Sequence, residues 1–506
     1  MRTEIEEIQL CPTANMETNL FIGNKYVPAV GGARFADIDP ATERELAQVA
    51  DAGAEDIERA VAAARAAADH GPWPKMSAEA RGRIIARIAD GVEKRARELG
   101  RLEARDVGKP VSECVNHDIA RAARNLRFFA NAAEAWTQEA SYDDAKFLGA
   151  DLKLVSLTER APLGVGAIII PWNSPLMLGT WNLGPCLAAG NACIYKPSEL
   201  APLTAIALGE IAIEAGLPPG VLNVLPGQGA AGAALVSHPG VDGIAFTGGV
   251  ATGKRVMAAA AESLKRVTLE LGGKSPNVVF ADADLKRSAA GVARSIFRSQ
   301  GQSCVAGSRL LIERKIADQF LTMVLDEMRK LKIGDPLAED TEYGPLISAA
   351  HRSRVDSFVK EAVAGGAELL AGGAIPEHPH PGYYYLPTVL DRLRSDARAV
   401  HEEIFGPVLS VERFEDEDQA AAMANATRYG LAAYIWTRDL ERALRVAARL
   451  KTGMVWVNSF FLRDLRTPFG GSGQSGVGRQ GGRFSLEFWT EPKLVCLTYP
   501  EHQAAQ

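Results

Sequence analysis

Apolar positions follow two different rhythms along the 506 residues, and the change of rhythm divides the chain. Residues 18–50 read as short strands and turns, with Asp39-Pro40-Ala41-Thr42 as one turn. From Glu55 to Asp69 the apolar positions Ile57, Val61 and Ala64 recur at helical spacing. Ser77 is placed to cap a long amphipathic helix with Ile84, Ile85, Ile88, Val92 and Leu99 on one side. Gly108-Lys109-Pro110 ends that run, and a further helix is expected from Ile119 to Trp136. These helices read as a layer covering something else.

What they cover begins at Val165. Val165–Ile170 is a continuous apolar run, as a strand buried on both faces requires. Strands are expected at 192–196, 221–225, 243–246 and 267–269, with helices at 201–215, 230–236 and 250–261 between them. That alternation predicts a parallel, doubly wound sheet, in which ligands bind at the carboxyl ends of strands. A second alternating set runs from Asn277 to Asn458, with strands at 277–280, 309–312, 408–413, 432–436 and 454–458, and predicts a second α/β domain. Leu152–Glu159 and Lys493–Thr498 read as strands outside both sets, free to pair across a subunit interface. Gly470–Gly482 has a linker's composition but lies between strand-like segments, so a pinned loop is expected.

Composition sharpens this picture only by exclusion. With 47% hydrophobic and 23% charged residues the chain is globular, and its length calls for more than one domain. A net charge of −6 leaves no basic excess for nucleic acid. Six cysteines without paired spacing make neither a disulfide framework nor a zinc site, and a reducing compartment is expected. MRTEIEEIQL has no apolar signal segment, and Val165–Ile170 is too short to span a bilayer. The expectation is a soluble, cytoplasmic protein that binds no membrane and no metal. His378-Pro379-His380 reads as an exposed loop rather than a metal site.

Chemistry concentrates at the strand ends. Pro171-Trp172-Asn173-Ser174-Pro175 holds an amide rigidly between prolines, suited to donate to an oxyanion or to cap the next helix. Lys196-Pro197-Ser198-Glu199 can clasp a ribose diol, with the carboxylate rejecting a 2′-phosphate, or can be a surface ion pair. Phe246-Thr247-Gly248-Gly249 opens a helix, as a phosphate site does, although its glycines do not fit GxGxxG. Leu269-Glu270-Leu271-Gly272-Gly273-Lys274 ends a strand in a lone carboxylate. Gln300-Gly301-Gln302-Ser303-Cys304 can expose a nucleophile, though most single cysteines are small buried hydrophobes.

Six motifs, PWNSP, KPSE, FTGG, ELGGK, GQSC and Glu402-Glu403-Ile404-Phe405-Gly406-Pro407, occur in this order over most of the chain. In this order they resemble the NAD-dependent aldehyde dehydrogenase superfamily, and Glu270 and Cys304 stand 304 − 270 = 34 residues apart, as in that family. The resemblance implies an α/β fold of two doubly wound parallel-sheet domains with a small β oligomerisation flap. The expected division is 1–139 with 163–271 for NAD, 272–475 for catalysis, and 140–162 with 476–506 for a flap that builds homodimers or homotetramers. Cys304 is implied as nucleophile, Asn173 as oxyanion donor and Glu270 as the base that activates water. The implied cofactor residues are Ile170, Pro171, Trp172, Lys196, Ser198, Glu199, Gly229, Phe246, Thr247, Gly248, Gly249, Thr252, Leu271, Glu403 and Phe405. One departure is Gly249, where many relatives have Ser, so backbone donors must serve the pyrophosphate. A CoA-acylating relative is disfavoured by Glu270, and a relative that only binds nucleotide is disfavoured by Cys304 with Glu270 and Asn173.

The stretch Phe460–Gly471 is similar to the subgroup that oxidises 2-hydroxymuconic, 2-aminomuconic and 5-carboxymethyl-2-hydroxymuconic semialdehydes. Those substrates carry carboxylates, which the planar fork of arginine suits. Arg121, Arg463 and Arg466, with Trp181, are the implied substrate residues. The alternative is that Arg463 or Arg466 pairs with Asp464 and only holds the loop. Val305-Ala306-Gly307 after GQSC is closer to general aldehyde dehydrogenases, which leaves the aldehyde open.

Overall fold

Five apolar strands of the middle region lie side by side and parallel in the computed structural model, which describes residues 16–135, 139–377 and 381–500. Their order is Leu222–Val224, Ala192–Lys196, Val165–Ile169, Gly243–Thr247 and Arg266–Glu270. Chain order therefore reverses between Val165–Ile169 and Gly243–Thr247, and a crevice opens at that switch point. The strands Leu20–Ile22 and Lys25–Val27 extend one edge antiparallel. Helices Ala54–Asp69, Ala78–Lys94, Ala120–Glu134 and Pro175–Ala188 bury their apolar faces in the core of this sheet. Ser77 caps as expected, accepting from the Ala80 N–H. The long helix is nevertheless two: Arg95 leaves helical geometry, its guanidinium held by Glu98 and Glu210, and a second helix runs Ala96–Val107. Gly108 ends it in the left-handed region at φ 82°. Trp136 and the His378–His380 segment lie outside the described residues.

A second sheet has the order Glu368–Ala371, Thr388–Asp391, Val408–Phe414, Arg309–Glu313, Pro276–Val279, Ala432–Trp436 and Met454–Val457. It is parallel except for its first strand. The two strands outside both sets pair with each other. Thr490–Pro500 lies antiparallel to Ala150–Pro162, which pairs in turn with Glu139–Phe147. Gly470–Gly482 is pinned: the Ser475 carbonyl accepts from Leu271 N–H, and its Oγ donates to the Gly272 carbonyl. Gly476–Val477 then pairs with Leu269–Glu270, and Trp489 is buried in the core of the first sheet. Residues 476–489, expected with the flap, thus return to the first sheet. No helix among the described residues is long and apolar enough to cross a membrane.

Candidate active site

The two sheets meet end to end. Glu270 closes the strand Arg266–Glu270, and the next strand, Pro276–Val279, already belongs to the second sheet. Carboxyl ends of the first sheet therefore face amino ends of the second, and Cys304 lies just before the strand Arg309–Glu313 on that seam. It packs against an apolar cluster of Val305, Leu431, Ala432, Tyr434 and Met454, as do Phe460, Phe461 and Phe469. The turn that delivers it is left-handed at Ser299, Gln300 and Gly301, with φ of 51°, 54° and 69°. Such angles are uncommon for residues with side chains and mark a backbone held by its surroundings. Gly273 is needed behind it, because a Cβ there would meet the Cys304 carbonyl at 2.7 Å. Burial pushes the Cys304 thiol up to about 12, with the Glu403 and Glu270 carboxylates adding to the effect.

Glu270 is 4% exposed, and among the described residues neither of its carboxylate oxygens has a hydrogen-bond partner. Burial raises this carboxyl well above its ordinary range, while Arg479 and Arg463 pull it down. Asn173 is buried; its Nδ2 donates to the Gln302 carbonyl at 3.0 Å, which ties it to the loop of the cysteine. A carboxyl raised by burial, a thiol and an amide donor on one seam suit covalent chemistry at a carbonyl carbon.

The other expected residues line the crevice of the first sheet. Ile170 N–H donates to the Lys196 carbonyl, which registers the two strand ends. Lys196 is buried, its Nζ donates to the Pro197 carbonyl at 2.9 Å, and Glu199 stands 4.0 Å away and half exposed. Ser198 braces that corner by accepting from Leu200 N–H. Gly229 begins the helix Gly229–Ser237, and Gly249 precedes the helix Val250–Ala261; a Cβ on either would meet open space. Thr252 lies exposed in the first turn of that second helix. Phe246 and Thr247 are buried, and Gly248 N–H donates to the Glu270 carbonyl. Leu271 packs against Gly253. Two open helix N-termini, a buried ammonium and a carboxylate fit a dinucleotide across the crevice.

Glu403 comes from the second sheet's side and accepts from Gly273 N–H at 3.0 Å. Burial lifts it to about 7. Phe405 sits at φ 60°, and its ring meets Trp172 edge-on at 5.4 Å. The carbonyls of residues 403, 404 and 405 are held in succession by the helix Ala349–Ala364. Arg354 donates to the first two at 2.7 and 2.5 Å, and His351 bonds the third at 2.7 Å. No sequence signal marked His351, Arg354 or Arg479 as neighbours of the site; each is a single polar residue without a motif.

The arginines separate. Arg463 lies over the rings of Trp181 and Phe469, at 4.9 and 4.6 Å from their centroids. Burial and the nearby Arg121 lower it to about 10, against the pull of Glu270 and Asp464. Arg121 is also lowered to about 10 by burial, and its Nε donates to Asn125. Arg466 does not join them. It is exposed and grips Asp464 through Nε and a second nitrogen, at 2.6 to 3.1 Å, so it holds the loop.

Residues 26–495 match the family model described as "Aldehyde dehydrogenase family". The chain is 45% identical to a 2-hydroxymuconic semialdehyde dehydrogenase of Pseudomonas sp. (strain CF600), over 95% of this chain and 99% of the relative. It is 43% identical to the enzyme of the same name from Pseudomonas putida, over the same shares. Its fold superposes on the crystal structure of an indole-3-acetaldehyde dehydrogenase complexed with NAD+, with a TM-score of 0.93 and 42% identity over 98% and 99% of the two chains. The match over nearly the whole length, on a fold that joins Cys304, Glu270 and Asn173 at one seam, means that the chain belongs to the aldehyde dehydrogenase family of oxidoreductases.

Proposed function

We propose that the protein oxidises an aldehyde to its carboxylic acid with NAD, and that the aldehyde is a semialdehyde of the 2-hydroxymuconic type, bearing a carboxylate remote from the reacting carbon. NAD, when bound, supplies the hydride acceptor; Lys196 and Glu199 hold its adenosine ribose and Glu403 its nicotinamide ribose. The Cys304 sulfur, once deprotonated, adds to the aldehyde carbon. The developing oxyanion takes hydrogen bonds from Asn173 Nδ2 and the Cys304 N–H. Loss of hydride leaves a thioester on Cys304. Glu270 takes a proton from water, whose oxygen attacks the acyl carbon, and the sulfur leaves as thiolate. A raised carboxylate with no hydrogen-bond partner among the described residues is a stronger base than an ordinary one, which suits that proton transfer.

One observation carries the substrate. Arg463 lies beside Glu270, Arg121 lies beside Arg463, and among the described residues neither guanidinium forms an ion pair. Two neighbouring guanidiniums held in no ion pair, with Glu270 and Asp464 as the nearby negative charge, leave room for a ligand that brings its own carboxylate. The names of the two Pseudomonas relatives point the same way. Such a compound arises from ring cleavage of aromatic substrates. The test is NADH formation across aldehydes of equal length with and without a distal carboxylate. Carboxylated semialdehydes should lead by at least tenfold in kcat/KM, the scale of one charge-assisted pair of roughly 1.5–3 kcal/mol. Equal rates would leave a general aldehyde dehydrogenase, and no NADH from any aldehyde would leave a nucleotide-binding relative. The three-stranded flap, with Phe147, Leu494 and Leu497 exposed, supports assembly into a homodimer or homotetramer, to be read by light scattering.

A further inference from the structure

The oxyanion donor and the nucleophile come from different sheets, and a single buried cation touches the supports of both. Lys109, 2% exposed, reaches in from the Gly108-Lys109-Pro110 turn. Its ammonium donates to the Asn173 carbonyl at 3.2 Å and to Ser174 Oγ at 3.0 Å, and it pairs closely with Asp118. Ser174 Oγ lies 2.7 Å from the Asn173 carbonyl and 3.2 Å from Asp118, closing a small buried ring around the backbone of Asn173. On its other side the ammonium lies 3.8 Å from Glu113. Glu113 in turn bonds Ser299 Oγ and the Arg298 guanidinium, the start of the left-handed turn that carries Cys304. Glu103, Cys114 and Asp118 also converge here, within 4.8 Å of one another, and Lys109 supplies their positive charge.

We propose that Lys109 is a positioning residue for the oxidation: it sets the distance between the Asn173 amide and the Cys304 sulfur by anchoring the Asn173 carbonyl on one side and, through Glu113, the Ser299 turn on the other. This rests on the reading of Asn173 as oxyanion donor. A buried, multiply bonded ammonium is a stiff joint, because any shift leaves charge unpaired in a medium that cannot solvate it. Misplacement of a reacting group by about 1 Å costs on the order of 100-fold.

The test is a pair of double-mutant cycles on the pre-steady-state NADH burst, which reads formation of the acyl enzyme. Lys109→Met and Ser174→Ala are each made alone and in the Asn173→Ala background. Ser174→Ala removes one node of the ring without stranding a charge, so it decides the matter if Lys109→Met does not fold. Each single variant should slow the burst roughly 10- to 100-fold, with NAD affinity within about twofold by fluorescence titration. In the Asn173→Ala background the same changes should cost almost nothing, since the group they position is gone. Equal losses in both backgrounds would overturn the proposal and leave Lys109 a structural ion pair. An unimpaired burst in Asn173→Ala alone would instead overturn the oxyanion assignment beneath it.

Discussion

Lys109, behind the Asn173 amide, and Arg463, beside Glu270, are cations housed in opposite ways. Behind the amide the ammonium has Asp118, Glu113, Ser174 and a carbonyl within bonding or ion-pair distance. Beside Glu270 the Arg463 guanidinium rests on two aromatic faces, next to a second guanidinium and a carboxylate that has no hydrogen bond among the described residues. The first arrangement is neutralised from within and has nothing left to offer a ligand. The second is balanced only by Glu270 and Asp464 without an ion pair, which costs stability and is sustained where a ligand completes it. Closed charge marks the scaffold of this site; open charge marks its working face.

Substitutions on the working face test that contrast most directly. Cys304→Ala should remove NADH production entirely while NAD binding persists, because only the nucleophile is lost; turnover in a clean preparation would break the assignment. Glu270→Gln should keep the NADH burst and slow steady turnover by roughly 10²- to 10⁴-fold, as loss of a general base does. Its raised carboxyl must lose a proton to act, so wild-type steady turnover should climb with pH well above the ordinary carboxylate range. The climb should flatten in Glu270→Gln. Arg463→Ala should cost about one to two decades in kcat/KM with a carboxylated semialdehyde and little with a neutral aldehyde of the same length. Equal losses with both substrates, together with a lowered Tm, would make Arg463 a closed charge like Lys109. Glu199→Gln should narrow a preference for NAD over NADP, a smaller effect because the carboxylate is half exposed. Arg466→Ala should change either substrate's rate by less than about twofold, since its pair with Asp464 is solvated.

The unequal fates of Arg463 and Arg466 show where sequence reading stopped. Strands such as Val165–Ile169 were legible because burial on both faces demands an unbroken apolar run, and PWN and ELGGK sit where strands end, with GQSC between a helix and the next strand. An irregular loop has no period, so nothing in Arg463-Asp464-Leu465-Arg466 told which arginine turns inward. The strand Glu139–Phe147 escaped notice because it is exposed on nearly every residue and lacks alternation. Lys109 was read only as part of a helix stop. Its partners Asn173 and Ser174 lie 64 and 65 residues along the chain, beyond any local pattern. The break at Arg95 was invisible because the apolar stripe continues across it.

The helix Ala349–Ala364 holds three successive carbonyls, of Glu403, Ile404 and Phe405, with two side chains one turn apart. The turn and the helix are therefore one mechanical part. Any breathing of the crevice on this side has to carry the helix, whose Val355, Phe358 and Val359 are rooted in a core of their own. The wall that Phe405 offers to Trp172 should then show slow amide exchange at residues 404–406 to the same depth as the helix, a loop with the rigidity of the element that grips it.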